Sequence, residues 1–576
     1  MNIFKKFIPL CLCLSMIFTL FGFQTVEGAT AYDETISNGS FSDFQQALLN
    51  AKNKGTANHI YKIHITKDLR INQSVGIYSN TMIVVDKNVK IIRNLPAGDG
   101  GTTFRVGKPG SSASGYYYRN ITIQGGIWDG NVRSKDTGFC TFKVNHSQNV
   151  KFLNMTIQND LEGHMIEAGA VNGLTISRVN FKNHKCYFKA HKNKNDYYEH
   201  EEALQLDVNL YETTAIGKYD KYQNKNVTVD RCNFTNLGRG IGSHNSIDGC
   251  YFTNMKFTNN TFKNIKSYAI GAVNYRNSKI QNNKILNCGS GILFVNSKPN
   301  YTGYTGTYVV NNWNLKVNTS KDNSIISGNT ITINRPKSKD SRALYINGNK
   351  ISKPAIYKKG LKSANRLSGY QGYLKGDHRI NGLTITKNNI TVKNMTAVFY
   401  KGIRNSTFSN NNITFNGNQK SDYYGLTMDS VPDQLNENVT VNGNKIKNFN
   451  SGILCKNSKK VTFQNTTVYN SYKQHIYLEG VNVTFVGCSL DKAKTKHGIA
   501  SKNSKITLKN TNITNVKEFG LYSYNCSGKV TGGKIANCGK YGIGAYKKGI
   551  SYSKVKFSNN GANGKCNYYR GWFIII

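Results

Sequence analysis

Proline and acidic side chains are scarce in this sequence. Only 7 of its 576 residues are proline, and 31 are aspartate or glutamate against 76 lysines and arginines. Few prolines, 54 glycines and many Asn, Thr, Val and Ile residues favour short strands joined by tight turns over a helical protein. The formal net charge of +45 predicts attraction to polyanions.

The sequence also lacks the C-x-x-C spacing of metal sites. Two of the twelve cysteines lie near the N-terminus, and several of the other ten fall at similar places of a repeat, as Cys232, Cys288 and Cys538 do. We interpret these cysteines as thiols stacked in the interior. The alternative is a disulfide scaffold.

Long apolar runs are confined to the N-terminus. Lys5 and Lys6 precede an apolar run over residues 7–23, and Ala29-Thr30-Ala31 resembles a cleavage site. This layout predicts a secretory signal peptide over residues 1–31. The alternative, a membrane anchor, is disfavoured because the run is short. We therefore expect a secreted protein, extracellular or associated with the cell wall, whose mature chain has no transmembrane segment.

The positive charge narrows the class of partner. For a secreted protein the polyanions to consider are uronate-rich polysaccharide, an anionic cell-wall polymer and an anionic lipid surface. Nucleic acid is not expected as a partner, because the chain carries an export signal and no nucleic-acid-binding motif. In the alternative interpretation, the charge only holds the protein near an anionic wall.

A short repeat of constant length fills the C-terminal third. Its strand-like segments are centred on Ile453, Ile476, Ile499, Leu521 and Ile543. Asparagines precede several of these segments, at Asn448, Asn470, Asn515 and Asn537. Such a period indicates a solenoid, and its short Val-, Ile- and Thr-rich strands indicate three strands per coil, stacked in parallel about 4.8 Å apart. We expect an all-β parallel β-helix with asparagine side chains hydrogen-bonded from coil to coil.

The end of such a solenoid needs a cover. Four apolar residues near the N-terminus fall on one face at helical spacing: Phe41, Phe44, Leu48 and Ala51. Gly55 follows them as a stop. We therefore expect an amphipathic cap helix within residues 32–58 and a β-helix with inserted loops over residues 59–576.

Four features of the sequence occur together: the cap helix, the strand block TMIVVDKNVKIIRN, the segment Gly125–Asn131 and the N-x-I-x-N…G-I coils. Through them the chain resembles the pectate-lyase-like right-handed parallel β-helix superfamily over nearly all of its mature part. The resemblance implies a right-handed parallel β-helix solenoid. It also implies a polysaccharide lyase, a polygalacturonase-type hydrolase, an epimerase or a phage tailspike, and the fold does not choose among them.

Five central strands align on an inward aliphatic residue. These residues are Ile166, Leu204, Ile241, Ile270 and Ile292. The first two intervals between them are much longer than the last, which places long inserted loops between the first three strands. Insertions on a few adjacent coils are how a solenoid builds a site on one face.

Ionisable residues come together around these aligned positions. Since side chains alternate along a strand, Glu167 and Asp207 project from neighbouring coils. Their carboxyl groups lie about 8 Å apart by strand geometry, which suits an inverting glycosidase pair. His244 follows on the next coil, while Glu202 and Arg239 flank the pair. We predict that all five are catalytic; the alternative is that they are solvated surface residues.

Neighbouring residues are expected to bind the substrate. They are His164, Gln205, Tyr268 and Tyr275. The run Tyr197–Glu202, with Tyr219 and Tyr222, adds acidic groups and tyrosines that can stack on sugar rings. The small residues Gly242 and Gly271 predict an open groove beside the group. No metal site is predicted.

The core is distantly similar to that of polygalacturonase-type hydrolases and departs from their motifs. Asp207 corresponds to the first Asp of that core. The adjacent Asp pair expected near Gly238 and Arg239 is missing, and YAIGAVN stands where Gly-His-Gly is expected. The resemblance therefore does not imply the usual polygalacturonase mechanism.

Three functions remain open at this point. We favour a glycoside hydrolase-like enzyme that cleaves an anionic polysaccharide without a cofactor. The first alternative is a lyase acting by β-elimination on a uronate polymer, with Arg239, His244 and Tyr268 in the site and Ca²⁺ as a candidate cofactor. The second is a non-catalytic wall-binding or adhesive protein. This alternative is supported by the net charge and by the Tyr/Lys-rich loops Asn300–Asn318 and Lys353–His378.

Overall fold

The structure of the protein is a computed structural model. It describes residues 31–96, 101–107, 113–133, 135–184, 202–208, 220, 222–243, 245–247, 249–296, 307–310, 316–338, 340–351, 355–358, 370–373 and 375–571. The predicted signal peptide, apart from Ala31, lies outside the described residues.

Three parallel sheets run along the molecule, and each coil contributes strands to them. Together they contain 51 strands, all paired in parallel. The sequence-based prediction of an all-β, right-handed parallel β-helix solenoid with a helix near the N-terminus is confirmed. We name the three faces the first, second and third sheet. Long strands that bend from one face to the next are given with the face where they begin.

The first sheet positions the candidate site. Its strands are Val75–Ile77, Phe104–Val106, Phe142–Leu153, Ile166–Ser177, Glu202–Asp207, Arg239–Gly242, Tyr268–Val273, Ser290–Val295, Leu344–Asn347, Val398–Lys401, Tyr424–Asp429, Ser451–Lys456, Ile476–Glu479, Ile499–Lys502, Leu521–Tyr524, Ile543–Tyr546 and Tyr568–Gly571.

The second sheet follows the first along each coil. Its strands are Glu34–Ile36, Tyr61–Ile65, Thr81–Arg93, Tyr118–Asp129, Lys225–Asp230, Phe252–Thr253, Lys256–Thr258, Tyr275–Arg276, Lys279–Gln281, Ile325–Ser327, Ile380–Asn381, Thr384–Thr386, Ile403–Ser409, Glu437–Asn442, Lys459–Gln464, Asn482–Val486, Lys505–Lys509, Ser527–Thr531 and Ile550–Ser553.

The third sheet closes the coil. Its strands are Leu69–Ile71, Thr156–Gln158, Asn180–Lys182, Asn233–Leu237, Thr261–Ile265, Lys284–Leu286, Thr330–Ile333, Asn389–Val392, Asn412–Phe415, Lys445–Lys447, Thr467–Ser471, Ser489–Ala493, Asn512–Val516, Lys534–Cys538 and Lys556–Ser558.

Two small sheets lie outside the solenoid. One has four strands, Asn245–Ile247, Thr307–Val310, Tyr370–Tyr373 and Ala355–Lys358, and the other pairs Asn349–Ile351 with Gly376–His378 in antiparallel fashion. A short 3-10 helix covers Pro432–Gln434.

Alternation of buried and exposed residues builds the core. In Tyr61–Ile65 and Asn482–Val486 every second side chain is buried, as the period of two in a strand requires. Like residues stack on successive coils: the rings of Phe181, Phe234 and Phe262 lie 4.6 and 4.7 Å apart. The sheets therefore enclose one continuous apolar interior.

The cap helix is present over Phe41–Lys54. Ser40 caps its N-terminus by accepting a hydrogen bond from the Asp43 amide at 3.2 Å, and Gly55 follows its last turn. The helix buries Phe44, Ala47, Leu48 and Ala51. The predicted cap face is thus buried, with Phe41 packed against the core at its margin.

Asparagines hold the bends between sheets. Many occupy the left-handed region, where asparagine is tolerated better than most residues, as at Asn470 (φ 55°) and Asn537 (φ 54°). Asn470 Nδ2 donates to Asn448 Oδ1 at 2.8 Å, and Asn537 Nδ2 donates to Asn515 Oδ1 at 2.8 Å. The predicted coil-to-coil asparagine contacts are confirmed at these positions.

A second set of asparagines lies inside the molecule. Each side chain donates to the next at 2.9 to 3.0 Å, and we call the set the asparagine ladder: Asn260, Asn283, Asn329, Asn388, Asn411 and Asn444. All six are buried. The ladder satisfies polar groups at the bend between the second and third sheets.

The described cysteines are free thiols. Of the nine in the part of the chain that the structure describes, seven are buried. The interpretation as interior thiols is confirmed for them. Among the described residues, no helix is long and apolar enough to cross a membrane.

Candidate functional site

The alignment predicted for the central coils holds in the first sheet. Ile166 pairs with Leu204, Leu204 with Ile241, Ile241 with Ile270, and Ile270 with Ile292. All five are buried in the core. The residues on either side of them therefore share rows that run along the solenoid axis.

One row contains a buried ion pair. Arg239 Nη1 donates to Glu202 Oε1 at 2.8 Å, and the Tyr268 hydroxyl donates to the same oxygen at 2.9 Å. The side chains of Glu202 and Arg239 are fully buried. The Arg239 guanidinium lies 4.7 Å from the centre of the Tyr268 ring. Burial raises the pKa of Tyr268 well above its usual value, against the opposing effect of Arg239.

His164 lies beside this ion pair. Its Nδ1 is 2.8 Å from the backbone oxygen of Glu202 and 3.9 Å from Glu202 Oε2. His184, which the sequence argument did not consider, lies close enough to interact with both residues. Burial, with the nearby His164, lowers the pKa of His184 to about 3, so this ring is neutral.

Side chains occupy the space directly over Gly242 and Gly271, where an open groove is expected from the sequence. A Cβ atom at Gly271 would lie 2.4 Å from the Tyr268 ring, and one at Gly242 would lie 3.0 Å from Glu202 Cγ and 3.2 Å from the ring. The two glycines therefore make room for the side chains of Tyr268 and Glu202 on the outer side of the sheet.

Glu167 forms an ion pair of its own. Its Oε2 lies 3.0 Å from Lys143 Nζ and accepts a hydrogen bond from Cys140 Sγ at 3.4 Å. Burial raises the pKa of Glu167, but Lys143 and His164 outweigh it, so the pKa lies below its usual value. Glu167 is therefore an ionised carboxylate, and its side chain keeps 16% of its surface exposed.

Asp207 lies on the coil after Glu167. It is in register with Gly169, two residues beyond Glu167 along the strand. Gln205 Nε2 donates to Asp207 Oδ2 at 3.0 Å, and both residues are almost fully buried. The predicted register, one coil across and two residues along the strand, is confirmed.

Tyr275 is not available to a substrate, which corrects its predicted role. Its ring is fully buried among Phe252 and Phe257, and its hydroxyl lies 2.9 Å from Ser243 Oγ. The left-handed backbone of Asn274 (φ 54°) breaks the alternation between the first and second sheets and turns the ring inward.

Several predicted residues lie outside the described part of the chain. They are His244, Tyr219 and the run over residues 197–201. Tyr222 is described and 41% exposed, and its ring lies 5.2 Å from that of Tyr116.

Lys143 is the residue that sequence reasoning missed. It occupies the same row as Glu167, one coil earlier. The sequence alignment of the central strands begins at Ile166. Extending it one coil back to Phe142 identifies Lys143 as the next member of the row. Within the described ranges, no group of three or more His, Cys, Asp or Glu residues is arranged to hold a metal ion.

Comparisons with known proteins support the fold. Residues 433–572 match the family described as "Right handed beta helix region". No curated protein matches the chain.

Solved β-helix structures resemble the chain at low identity. They include PfbA, a surface adhesin of Streptococcus pneumoniae, at 13% identity and a TM-score of 0.44, over 81% of this chain and 88% of that one. A substituted variant of the catalytic domain of a GH87 alpha-1,3-glucanase, in complex with nigerose, aligns at 15% identity with a TM-score of 0.41, over 84% of this chain and 69% of that one. A mutant tailspike protein of E. coli bacteriophage HK620, in complex with a hexasaccharide, aligns at 13% identity with a TM-score of 0.45, over 81% of this chain and 76% of that one. At these identities the likeness concerns the fold alone.

Proposed function

We propose that the protein is a secreted enzyme that hydrolyses glycosidic bonds of an anionic polysaccharide on the outer face of the first sheet. The observation that carries this proposal is the placement of two carboxyl groups. Glu167 and Asp207 lie on neighbouring coils, offset by two residues along the strand, and each contacts different neighbours. By strand geometry this offset is about 8 Å, a spacing that suits an inverting pair.

The surroundings of the two carboxyl groups suggest their roles. Glu167 is ionised beside Lys143, as a base that activates water must be. With the base assigned to Glu167, we assign Asp207, on the neighbouring coil, the part of the acid that protonates the leaving oxygen. Two carboxyl groups in unlike surroundings can divide acid and base work in this way.

Glu202 and Arg239 have a different role in this proposal. Both are fully buried and pair with each other, so they act as positioning residues that fix the edges of two coils. The same burial argues against the lyase alternative. A base for β-elimination must lose its proton near neutral pH, whereas the pKa of Tyr268 is raised and Arg239 is occupied by Glu202.

The charge of the chain points to the substrate class. Lys143 adds a cation beside Glu167, and the net charge of +45 attracts a polyanion to the surface. An acidic polysaccharide fits an exported protein with this charge. His164, 13% exposed at its side chain, is the group we assign to substrate binding.

The test is a digestion of acidic and neutral polysaccharides by the full chain, with and without EDTA. Reducing ends and ultraviolet absorbance of unsaturated uronate are read together. We expect reducing ends without absorbance, and a loss of about 10²- to 10⁴-fold in rate for Glu167→Gln and Asp207→Asn. Glu437→Gln is the matched control, because Glu437 also forms an ion pair, with Arg379 at 3.3 Å, but lies on the second sheet.

Other outcomes would overturn the proposal. Absorbance that rises with the reducing ends would identify a lyase. No product from any polysaccharide, with retained binding to the acidic polymers, would identify a wall-binding protein. Equal losses in Glu437→Gln and Glu167→Gln would mean that the effect is one of folding, which circular dichroism checks.

A further inference from the structure

The outward row that contains Glu167 continues to the C-terminal end of the first sheet. In the last coils this row holds Tyr477, Ala500, Tyr522, Gly544 and Tyr569, in register from coil to coil. Tyrosines thus alternate with small residues. Successive tyrosines lie two coils apart, about 9.6 Å along the axis.

A second outward row lies beside the first. It holds Tyr524 and Tyr546 on consecutive coils, in register with Lys502 on the coil before. We call the aromatic residues of both rows the tyrosine track: Tyr477, Tyr522, Tyr524, Tyr546 and Tyr569.

Three rings of the track, those of Tyr522, Tyr546 and Tyr569, contact one another or a shared neighbour. Tyr546 is buried, 5.2 Å from the ring of Tyr522 and 5.5 Å from that of Tyr569. His497 stacks on Tyr522 at 4.9 Å with 10° between the planes. The outer rings of Tyr522 and Tyr569 are therefore held in place before any ligand arrives, which lowers the entropy cost of binding.

The outer rings remain accessible. Tyr477, Tyr522, Tyr524 and Tyr569 are all partly exposed. Partly exposed aromatic rings along one line form an apolar strip, and exposed apolar patches mark binding sites. Flat rings spaced along a line suit the faces of sugar rings in an extended chain.

Lysines accompany the track and set the charge of its ligand. Lys456 lies 5.6 Å from the Tyr477 ring, and Lys547 lies 5.1 Å from the Tyr524 ring. Lys502 lies 3.8 Å from Glu479, which also contacts Lys456 at 3.3 Å, so two lysines share one carboxylate. The excess of positive charge favours an acidic polymer over a neutral one.

We propose that the tyrosine track is a second, non-catalytic binding site for an extended acidic polysaccharide, lying along the solenoid axis. The site is separate from the candidate active site. From Leu204 to Leu521 the first sheet advances ten coils, about 48 Å. The proposal goes beyond hydrolysis and does not depend on it.

The test measures binding of the full chain to polygalacturonate and to a neutral glucan by affinity electrophoresis. The ionic strength is about 0.5 M, so that exposed charges elsewhere on the chain are largely screened. We expect the double variant Tyr477→Ala/Tyr522→Ala to bind polygalacturonate about tenfold more weakly. Tyr552→Ala is the matched control, because Tyr552 is 47% exposed and packs on other rings but lies on the second sheet.

A second variant separates binding from folding. Tyr477→Phe/Tyr522→Phe keeps both rings and should bind polygalacturonate as the unaltered chain does. Glu437→Gln, on the second sheet and outside both sites, should also keep this affinity. Because affinity and not product is measured, a failure of the hydrolysis proposal leaves the result interpretable.

Three results would overturn the proposal. The first is unchanged affinity in the double alanine variant. The second is an equal loss in Tyr552→Ala. The third is equal affinity for polygalacturonate and the neutral glucan in the unaltered chain, which would contradict the acidic class of ligand.

Discussion

Buried carboxyl groups in this protein differ in their nearest partners, which are cations in some cases and uncharged hydrogen-bond donors in others. Glu167 and Glu202 face cations, whereas Asp160 is fully buried and accepts hydrogen bonds from Thr141 Oγ1 at 3.0 Å and the Leu161 amide at 3.0 Å. Burial raises the pKa of Asp160 to about 8, although these hydrogen bonds oppose the rise. Asp160 therefore stays protonated in the folded protein near neutral pH.

This raised pKa predicts a pH dependence of stability. The folded state holds the Asp160 proton up to about pH 8, whereas the unfolded state loses it near the ordinary pKa of 3.8. The free energy of unfolding should therefore fall as pH rises through this window, by at most about 1.4 kcal/mol per pH unit from this group.

Asp160→Asn isolates this contribution. It should remove this part of the slope, so the variant gains stability relative to the unaltered chain between pH 5 and pH 8. Urea unfolding at both pH values measures the difference. A variant whose stability changes in parallel with that of the unaltered chain would contradict the assignment.

Residue-scale predictions succeeded where strand alternation applies and failed at the bends. The rows of Glu167 and Asp207 follow from alternation, and their register is confirmed. Tyr275 could not be placed by the same rule, because the positive φ of Asn274 reverses the direction of the next side chain. The burial of Glu202 with Arg239 joins two neighbouring coils across a long insertion, and a sequence pattern does not specify which rotamers meet.

At the scale of elements, the asparagine ladder supplies hydrogen bonds at the bends that the apolar core residues cannot make. Each of its amides satisfies backbone groups at a bend where regular sheet pairing stops. Asn411 Oδ1, for example, accepts from both the amide N–H and the side chain of Asn388, at 3.0 and 2.9 Å. Asn411 Nδ2 in turn donates to the Asn444 side chain at 3.0 Å.

Neighbouring asparagines give a matched test of the ladder. Asn411→Ala leaves buried polar groups of Asn388 and Asn444 without this partner, and should lower the free energy of unfolding by about 2–5 kcal/mol. Asn412 is exposed, and its side chain donates to Asn389 Oδ1 at 3.2 Å, so Asn412→Ala should change the free energy of unfolding by no more than about 0.5 kcal/mol. Urea unfolding measures the free energy of unfolding of both variants. Equal losses would mean that the buried ladder contributes no more to stability than an exposed asparagine does.

The repeat period made the elements predictable in kind and in order. The constant spacing of the strand-like segments and the apolar face of the cap segment were sufficient for the solenoid and its helix. The two small outer sheets could not be predicted, because they form from long insertions that have no repeat.

At the scale of the whole molecule, charge dominates long-range interactions. The chain has a net charge of +45, and salt screens the charges that lie on its surface. Long-range attraction should therefore bring polyanions to the protein, while the local sites determine what is held.

This division predicts a salt dependence of binding. Retention of the full chain on an acidic polysaccharide matrix should fall steeply as salt rises from about 0.05 M to about 0.5 M, with a residual binding that the tyrosine track explains. Retention on a neutral glucan matrix is the control and should stay low throughout. Retention on both matrices that does not vary with salt would contradict a role for the charge.

Tyrosine alternates with small residues on successive coils, so the spacing between neighbouring tyrosines is a whole number of coils. Loss of the segment 478–500 would remove one complete turn, keep every inward position in phase and bring Tyr477 next to Tyr522. Gene duplication or deletion in such units can therefore lengthen, shorten or re-space the surface by about 4.8 Å at a time without redesigning the interior. The number of coils therefore sets the length of polymer that the surface can bind.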